Sequence, residues 1–251
     1  MAPSVEQLRE IVSNSLSRAE DAAIQMRLDS GTDTKIAKSM VKDLRRFRTF
    51  SLGSGATAWG AILFVDVRGS TKRAVSIGPR KTYITMHALL PALAYVVEEY
   101  GGYVVGFRGD GLFAIFGLTD SGYNADQFDQ GKIIADASSC GQWMIEGVAK
   151  VVNPALQDRE CSGNLRIGVG IDSGRIVVTR IGFRYVDEVT AYGDAVNSAA
   201  KISSVSDSKV IVSAEVDRLF PTSKAGTIKV NPVPGHSTYR EIVFPNPLIK
   251  E

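Results

Sequence analysis

The chain has 251 residues, of which 44% are hydrophobic and 22% charged, and its formal net charge is +2. This composition is typical of a globular protein with one large domain and an appendage, and so small a charge does not indicate a nucleic-acid partner. Two cysteines exclude a disulfide framework and fit a reducing cytosol, so we expect a cytoplasmic protein. We expect neither a signal peptide nor a membrane span, because the N-terminus lacks an apolar core and the apolar run at 61–67 is too short to cross a bilayer.

The first 55 residues predict a helical appendage that ends in a linker. Residues 4–29 carry one apolar stripe, and residues 34–47 predict a second helix with a basic face. The Gly- and Ser-rich segment 51–55 is typical of a linker. The appendage could be a dimer contact, a partner helix or a cap on the core, and residues 56–251 would form the main domain.

Residues 61–71 predict a buried strand that ends in an acidic turn. An aspartate in such an apolar run, Asp66, needs a counter-charge, a metal or hydrogen-bond donors. It could instead simply cap the helix that follows. The turn opens that helix, so its backbone N–H groups could bind phosphates. The turn consists of Val67, Arg68, Gly69, Ser70 and Thr71.

A second acidic turn follows a predicted helix at 80–100. Residues 103–117 predict two short strands joined at 108–111, which places Asp110 at the tip of a hairpin. If a right-handed crossover makes the first two strands parallel and leaves a gap for the third, Asp66 and Asp110 become neighbours. Adjacent carboxylates repel each other unless cations lie between them. We therefore predict a site for one or two Mg²⁺ or Mn²⁺ ions.

The second half of the chain predicts a further helix at 123–152 and two strands within 165–182, which complete a β-α-β-β-α-β core. Asp172, between those two strands, is better interpreted as a turn-forming residue than as a metal ligand. Short apolar runs separated by Pro and Gly in the tail, 209–244, predict edge strands.

Residues 187–202 predict another turn and helix. The helix opens at Asp194 and places Asn197 and Lys201 one turn apart on one face, so both side chains can reach one ligand. In an isolated helix, the better interpretation of both would be ordinary surface residues.

Three blocks of the chain resemble the class III nucleotidyl cyclase catalytic domain. They are FVDVRGST at 64–71, GDGLFAIFG at 109–117 and AYGDAVNSAAK at 191–201. The agreement of three separate blocks is specific, whereas any one of them would be weak. The resemblance implies a ferredoxin-like α+β fold for residues 56–251, the catalytic domain, preceded by the two-helix appendage.

The resemblance also implies a reaction and an assembly. A head-to-tail homodimer would form two equivalent sites, each with Asp66 and Asp110 from one subunit and Asn197 and Lys201 from the other. Two metal ions per site would act on a nucleoside triphosphate, while Asn197 orients the ribose. Lys201 stands where the family has an arginine. A lysine keeps the positive charge but lacks the planar guanidinium fork, so a catalytically silent nucleotide-binding module stays an alternative. Lys229 lies near the position of the family's triphosphate-binding lysine.

The residues expected near the base predict a pyrimidine substrate. Adenylate cyclases of the family read the purine with a lysine, and this chain has Gly106 at that position. At the family's second base-reading position, this chain has Thr190. Arg108 and Tyr192 lie beside the site, where a long donor could shrink the pocket and bind a uracil carbonyl. We predict UTP as the preferred substrate, with ATP as the alternative if Arg108 is a salt-bridging surface residue. The chain is also similar to the pyrimidine cyclases of bacterial anti-phage systems, which implies that cyclic UMP acts on a separate effector protein.

Overall fold

The computed structural model describes residues 3–28, 51–118, 129–161, 164–183, 186–220 and 228–250. The predicted helix at 34–47 lies outside these residues. The helices are α1 (Val5–Leu28), α2 (Ser70–Glu99), α3 (Gln130–Gly147), α4 (Asn153–Gln157), α5 (Asp194–Val205) and α6 (Ala214–Leu219), with a π-helical turn at Val148–Val152. The strands are β1 (Gly55–Val67), β2 (Tyr103–Arg108), β3 (Gly111–Phe116), β4 (Ile167–Phe183), β5 (Val186–Tyr192), β6 (Val210–Ser213), β7 (Lys229–Val233) and β8 (His236–Val243). None of the described helices is long and apolar enough to cross a membrane.

The strands of the described residues form one eight-stranded mixed sheet. Its order is β2-β3-β1-β4-β6-β8-β7, and β5 pairs with β4 beside this path. Strand β3 is antiparallel to both β1 and β2, so β1 and β2 are parallel and α2 is the crossover between them. This arrangement confirms the predicted ferredoxin-like α+β fold, and it brings the end of β1 and the β2–β3 turn to the same edge.

The two faces of the sheet carry different layers. Successive strand residues point to opposite faces, and Ala61, Leu63 and Val65 of β1 pack in the core formed with α1, α2 and α3. Ile62 packs on the opposite face in a second cluster that includes residues of α5, with Phe64 beside it. The same alternation places Asp66 on the α5 face, although α2 starts directly after β1.

Helix α1 packs on the core. Its apolar stripe, Leu8, Val12 and Leu16, is fully buried in the same cluster as α2. The backbone N–H of Ser4 donates a 2.9 Å hydrogen bond to the Tyr95 hydroxyl. The described part of the N-terminal segment therefore packs on the core.

The last described residues are also fastened to the helical layer. The carboxylate of Glu146 accepts the backbone N–H groups of Leu248 and Ile249, at 3.1 and 2.8 Å. The Lys150 ammonium donates to the Ile249 carbonyl at 2.6 Å, and the Ile249 side chain is buried in the core. Both described ends of the chain therefore attach to the same side of the sheet.

Strand β4 differs from the prediction. We expected two strands around Asp172–Gly174, but β4 runs unbroken from Ile167 to Phe183 and pairs with β1 along the whole of β1. Asp172 is buried inside it, where its carboxylate accepts the Ser213 hydroxyl at 2.5 Å and the Ser173 N–H at 2.7 Å. Its interpretation as a turn former was wrong, because the long pairing with β1 overrides the local turn preference.

The helix and strand boundaries differ as well. Helix α2 begins at Ser70, in the turn predicted to open a helix, and continues through the helix predicted at 80–100. It bends at Gly78, whose φ of 78° is left-handed and which precedes Pro79. The helical path after α3 continues beyond Asn153, since Pro154 is tolerated in the first turn of α4. Strand β6 lies between β4 and β8, and β8 lies between β6 and β7, so the tail contributes two inner strands and only one edge strand, β7.

Candidate active site

The end of β1 and the tip of the β2–β3 hairpin are in direct contact. A side chain at Gly111 would place its Cβ only 2.0 Å from the Val65 carbonyl oxygen and 3.4 Å from the Asp66 Cα. Only a glycine permits this approach, since real Cβ atoms do not come within 3.0 Å of such neighbours. The turn that carries Asp110 therefore lies against the end of the strand that carries Asp66.

A cavity of about 460 Å³ opens beside Asp110. Gly109 and Asp110 line one side, and Ser70 and Thr71 in the first turn of α2 line another. Gly69 occupies the N-cap position and provides no side-chain cap. The first N–H groups of a helix and its positive end favour an anion, so this turn could bind phosphate groups.

The carboxylate of Asp110 fits a divalent cation, and Asp66, which is ion-paired with Arg68, lies at the same edge of the sheet. The Oδ2 atom of Asp110 is buried and has no hydrogen-bond partner among the described residues. A buried carboxylate oxygen without a donor is unfavourable, and a hard cation would satisfy it. The described residues contain no cluster of three or more His, Cys, Asp or Glu side chains suited to a metal. Substrate phosphates and water would therefore supply the ligands that Asp66 and Asp110 do not, as is usual for Mg²⁺.

The side chain of Arg68 has a role that the sequence did not reveal. It forms an ion pair with Asp66, and its Nη1 donates a 2.7 Å hydrogen bond to the Ser204 carbonyl oxygen at the end of α5. The prediction for Arg68 concerned only its place in a phosphate-binding turn. A contact between residues so distant along the chain has no signal in sequence periodicity.

Arg108 and Thr190, predicted to lie near the base, are in contact. The Nη2 of Arg108 donates to the Thr190 hydroxyl at 3.2 Å, and its Nη1 pairs with the Glu188 carboxylate at 3.2 Å. Glu188 was missed by sequence reasoning, although its position two residues before Thr190 puts it on the same strand face. Tyr192, on that face too, is 55% exposed.

Helix α5 lies unusually close to β4. A Cβ at Gly170 would be 2.2 Å from the Ser203 nitrogen and 2.4 Å from the Ala199 carbonyl oxygen. Ala199 faces the sheet and is fully buried, whereas Asn197 and Lys201 are exposed on the outer side. The helix is thus seated firmly and presents its polar pair outward.

The predicted site residues fall into separate groups within one chain. Asp66 and Asp110 lie at one edge with the phosphate-binding turn, and Arg108 lies with Thr190. Lys229 is exposed at the start of β7, the edge strand that β4, β6 and β8 separate from β1. A single chain therefore does not gather all of the predicted residues into one site.

A comparison with protein families matches residues 57–239 to the adenylate and guanylate cyclase catalytic domain. A cytidylate cyclase of Escherichia coli is 26% identical over 149 residues, which is 58% of this chain and 31% of that protein. An adenylate cyclase of Anabaena cylindrica is 28% identical over 153 residues, 60% of this chain and 28% of that protein. A uridylate cyclase of Burkholderia cepacia is 24% identical over 156 residues, 62% of this chain and 63% of that protein. The chain spans less than a third of the length of the first two relatives.

Solved structures share the fold. The adenylyl cyclase CyaB of P. aeruginosa superimposes with a TM-score of 0.63 at 23% identity, covering 76% of this chain and 96% of that one.

Proposed function

The chain belongs to the family of adenylate and guanylate cyclase catalytic domains, and we propose that it cyclises UTP to cyclic UMP with release of pyrophosphate. The family gives the reaction class, the formation of a cyclic nucleotide. The preference for UTP rests on the surroundings of Arg108. The observation that carries the site as a whole is the contact between the two acidic turns beside a free helix N-terminus.

The residues of the chain divide the work. Asp66 and Asp110 would hold the metal ions, which supply Lewis-acid activation of the ribose 3′-hydroxyl and neutralise the phosphates. The N–H groups at the start of α2 bind the triphosphate. Asn197 orients the ribose. Lys201 places its positive charge beside the α-phosphate, where it stabilises the negative charge as the bond from the 3′-oxygen to phosphorus forms and the bond to pyrophosphate breaks.

A head-to-tail homodimer would assemble the complete site. Asn197 and Lys201 face outward on α5, away from their own sheet, so they suit a nucleotide held by the aspartates of a second subunit. Large apolar side chains are exposed near the same region: Val177 is 43% exposed and Tyr192, its pairing partner, 55%. Exposed apolar side chains grouped in this way are typical of an interface.

The held position of Arg108 supports a pyrimidine base. Thr190 and Glu188 engage two of the five guanidinium N–H groups, which fixes the plane of the fork and leaves donors for a ligand. A fixed donor favours a carbonyl oxygen such as uracil O4, where adenine has an amino group. Gly106, which stands where adenylate cyclases of the family carry the purine-reading lysine, agrees with this proposal.

One observation favours ATP as a second candidate. The Arg108–Glu188 pair is exposed, with 40% and 53% of the two side chains accessible, as expected if Arg108 only bridges two strands at the surface. In that case the base would be read by other groups. The adenylate cyclase relative is as similar to this chain as the pyrimidine cyclases are.

The deciding experiment is pyrophosphate release with Mn²⁺ from each of the four ribonucleoside triphosphates. We expect UTP to react fastest, and Arg108→Ala to lower the ratio of UTP to ATP turnover without unfolding the protein. Faster turnover of ATP than of UTP and CTP would refute the pyrimidine proposal. Binding of triphosphates without release of pyrophosphate would instead favour a catalytically silent nucleotide-binding module, the alternative suggested by Lys201.

The wider role proposed here rests on the resemblance to pyrimidine cyclases of anti-phage systems. We propose a cytoplasmic enzyme whose cyclic nucleotide acts on a separate effector protein. Bacteria that express the chain should accumulate cyclic UMP after phage infection, as measured by mass spectrometry, and the Asp110→Asn variant should not. Equal nucleotide levels in the two strains would argue against this role.

A further inference from the structure

Arg68 binds two functional elements of the chain at once. Its guanidinium pairs with Oδ2 of Asp66 and donates to the Ser204 carbonyl oxygen at 2.7 Å. The side chain is 17% exposed, and the Arg68 backbone N–H is fixed by a 2.8 Å bond to the Arg166 carbonyl oxygen. Because the guanidinium is planar and rigid, a shift of one of its acceptors is transmitted to the other.

Ser204 lies in the last turn of α5, the helix that presents Asn197 and Lys201. The carbonyl groups at the end of a helix carry partial negative charge and attract a cation such as Arg68. The close approach at Gly170 seats the middle of this helix on β4. Arg68 adds a restraint at its end, so it helps to define where Asn197 and Lys201 lie.

We propose that Arg68 is a positioning residue that couples the two sites of the dimer. It holds Oδ2 of Asp66, which would leave Oδ1 for a metal ion, and it braces α5 through Ser204. The inference rests on the proposed head-to-tail dimer, in which Asp66 serves one site and Asn197 of the same subunit serves the other. Arg68 then connects metal binding at one site with catalysis at its neighbour.

The metal-binding half of the proposal can be tested without turnover. Removal of a group that orients a metal ligand lowers metal affinity by about 10-fold to 100-fold. We expect Arg68→Ala to weaken Mn²⁺ binding by at least about 10-fold, measured by electron paramagnetic resonance without nucleotide. The matched control is Arg166→Ala, which removes an exposed pair with Asp207 nearby and should bind Mn²⁺ normally. Unchanged affinity in Arg68→Ala would overturn this half.

The coupling can be tested in mixed dimers with one intact site. Subunits with Asp110→Asn and subunits with Asn197→Ala should each be inactive alone, and a mixed dimer purified through two different tags should have one complete site. Arg68→Ala in the Asn197→Ala subunit should raise the Mn²⁺ concentration needed for half-maximal rate, because that subunit supplies Asp66. The same change in the Asp110→Asn subunit should instead lower kcat about 10-fold at an unchanged Mn²⁺ requirement, because that subunit supplies α5.

The outcomes separate this inference from the proposed function. If the mixed dimer regains no activity, the shared site is wrong and the coupling falls with it, whereas the metal-binding result still stands on its own. If activity returns but Arg68→Ala acts in only one of the two subunits, Arg68 serves one element and does not couple the sites. Arg68→Lys should restore at most one of the two effects, since an ammonium cannot present the two fixed arms.

Discussion

Replacing Gly170 with alanine should push α5 away from the sheet. The new Cβ would lie 2.2 Å from the Ser203 nitrogen and 2.4 Å from the Ala199 carbonyl oxygen, and both are backbone atoms of the helix. Favourable contact begins at about 3.5 Å, so α5 has to retreat by roughly 1 Å. Asn197 and Lys201 move with it.

The size of the effect follows from this displacement. Overpacking of this kind lowers the free energy of unfolding by about 1–3 kcal/mol. For a chain of this length each kcal/mol shifts Tm by about 2–4 °C, so Tm should fall by about 2 to 12 °C. A misplacement of about 1 Å in groups that position a substrate lowers the rate about 100-fold. Because Arg68 links Ser204 of α5 to Asp66, Mn²⁺ binding should weaken as well.

The assay compares thermal unfolding, pyrophosphate release and Mn²⁺ binding for two alanine variants in the same strand. Gly174→Ala is the control, because its Cβ would meet the Ala195 Cβ at 3.4 Å, an ordinary contact. It should keep the wild-type Tm within about 2 °C and the wild-type rate. A Gly170→Ala protein that also kept both would refute the argument that the glycine sets the position of α5.

Three further predictions concern other parts of the chain. Asp110→Asn should remove a metal ligand and abolish pyrophosphate release, because metal catalysis is worth several kcal/mol; turnover near the wild-type rate would contradict the site. Glu188→Gln should leave Tm nearly unchanged, since an exposed ion pair contributes at most about 1 kcal/mol. It should lower the ratio of UTP to ATP turnover in a competition assay, and an unaltered ratio would count against Arg108 as the base-reading residue. Burial raises the pKa of Cys140 and Cys161, so a thiol reagent at neutral pH should label neither in the folded protein and both in guanidinium, and rapid labelling of the native protein would show that this packing is wrong.

The order of elements around the acidic turns could be predicted because it depends on local signals. A continuous apolar run predicts β1, a helical spacing predicts α2, and a Gly-rich turn predicts the β2–β3 hairpin. The handedness of the crossover then determines which of them are neighbours. These rules act over short stretches of chain. They were enough to bring Asp66 and Asp110 to one edge.

Features that depend on tertiary contacts could not be predicted in this way. Asp172–Gly174 has the composition of a turn, yet pairing with β1 keeps β4 extended through it. Arg68 reaches Ser204, and Arg108 reaches Glu188, across 136 and 80 positions of the sequence. Such contacts follow from the assembled sheet, and no local pattern encodes them.

The fastening of both described ends to the helical layer determines how the domain would respond to its surroundings. A rotation or pull applied through α1 would reach α2 first, and one applied through residues 248–250 would reach α3 through the clamp at Glu146. Neither route begins at the sheet. A force applied at either described end would therefore act first on α2 or α3, the helices next to the edge that carries Asp66 and Asp110. It would reach α5, on the opposite face of the sheet, only through the strands.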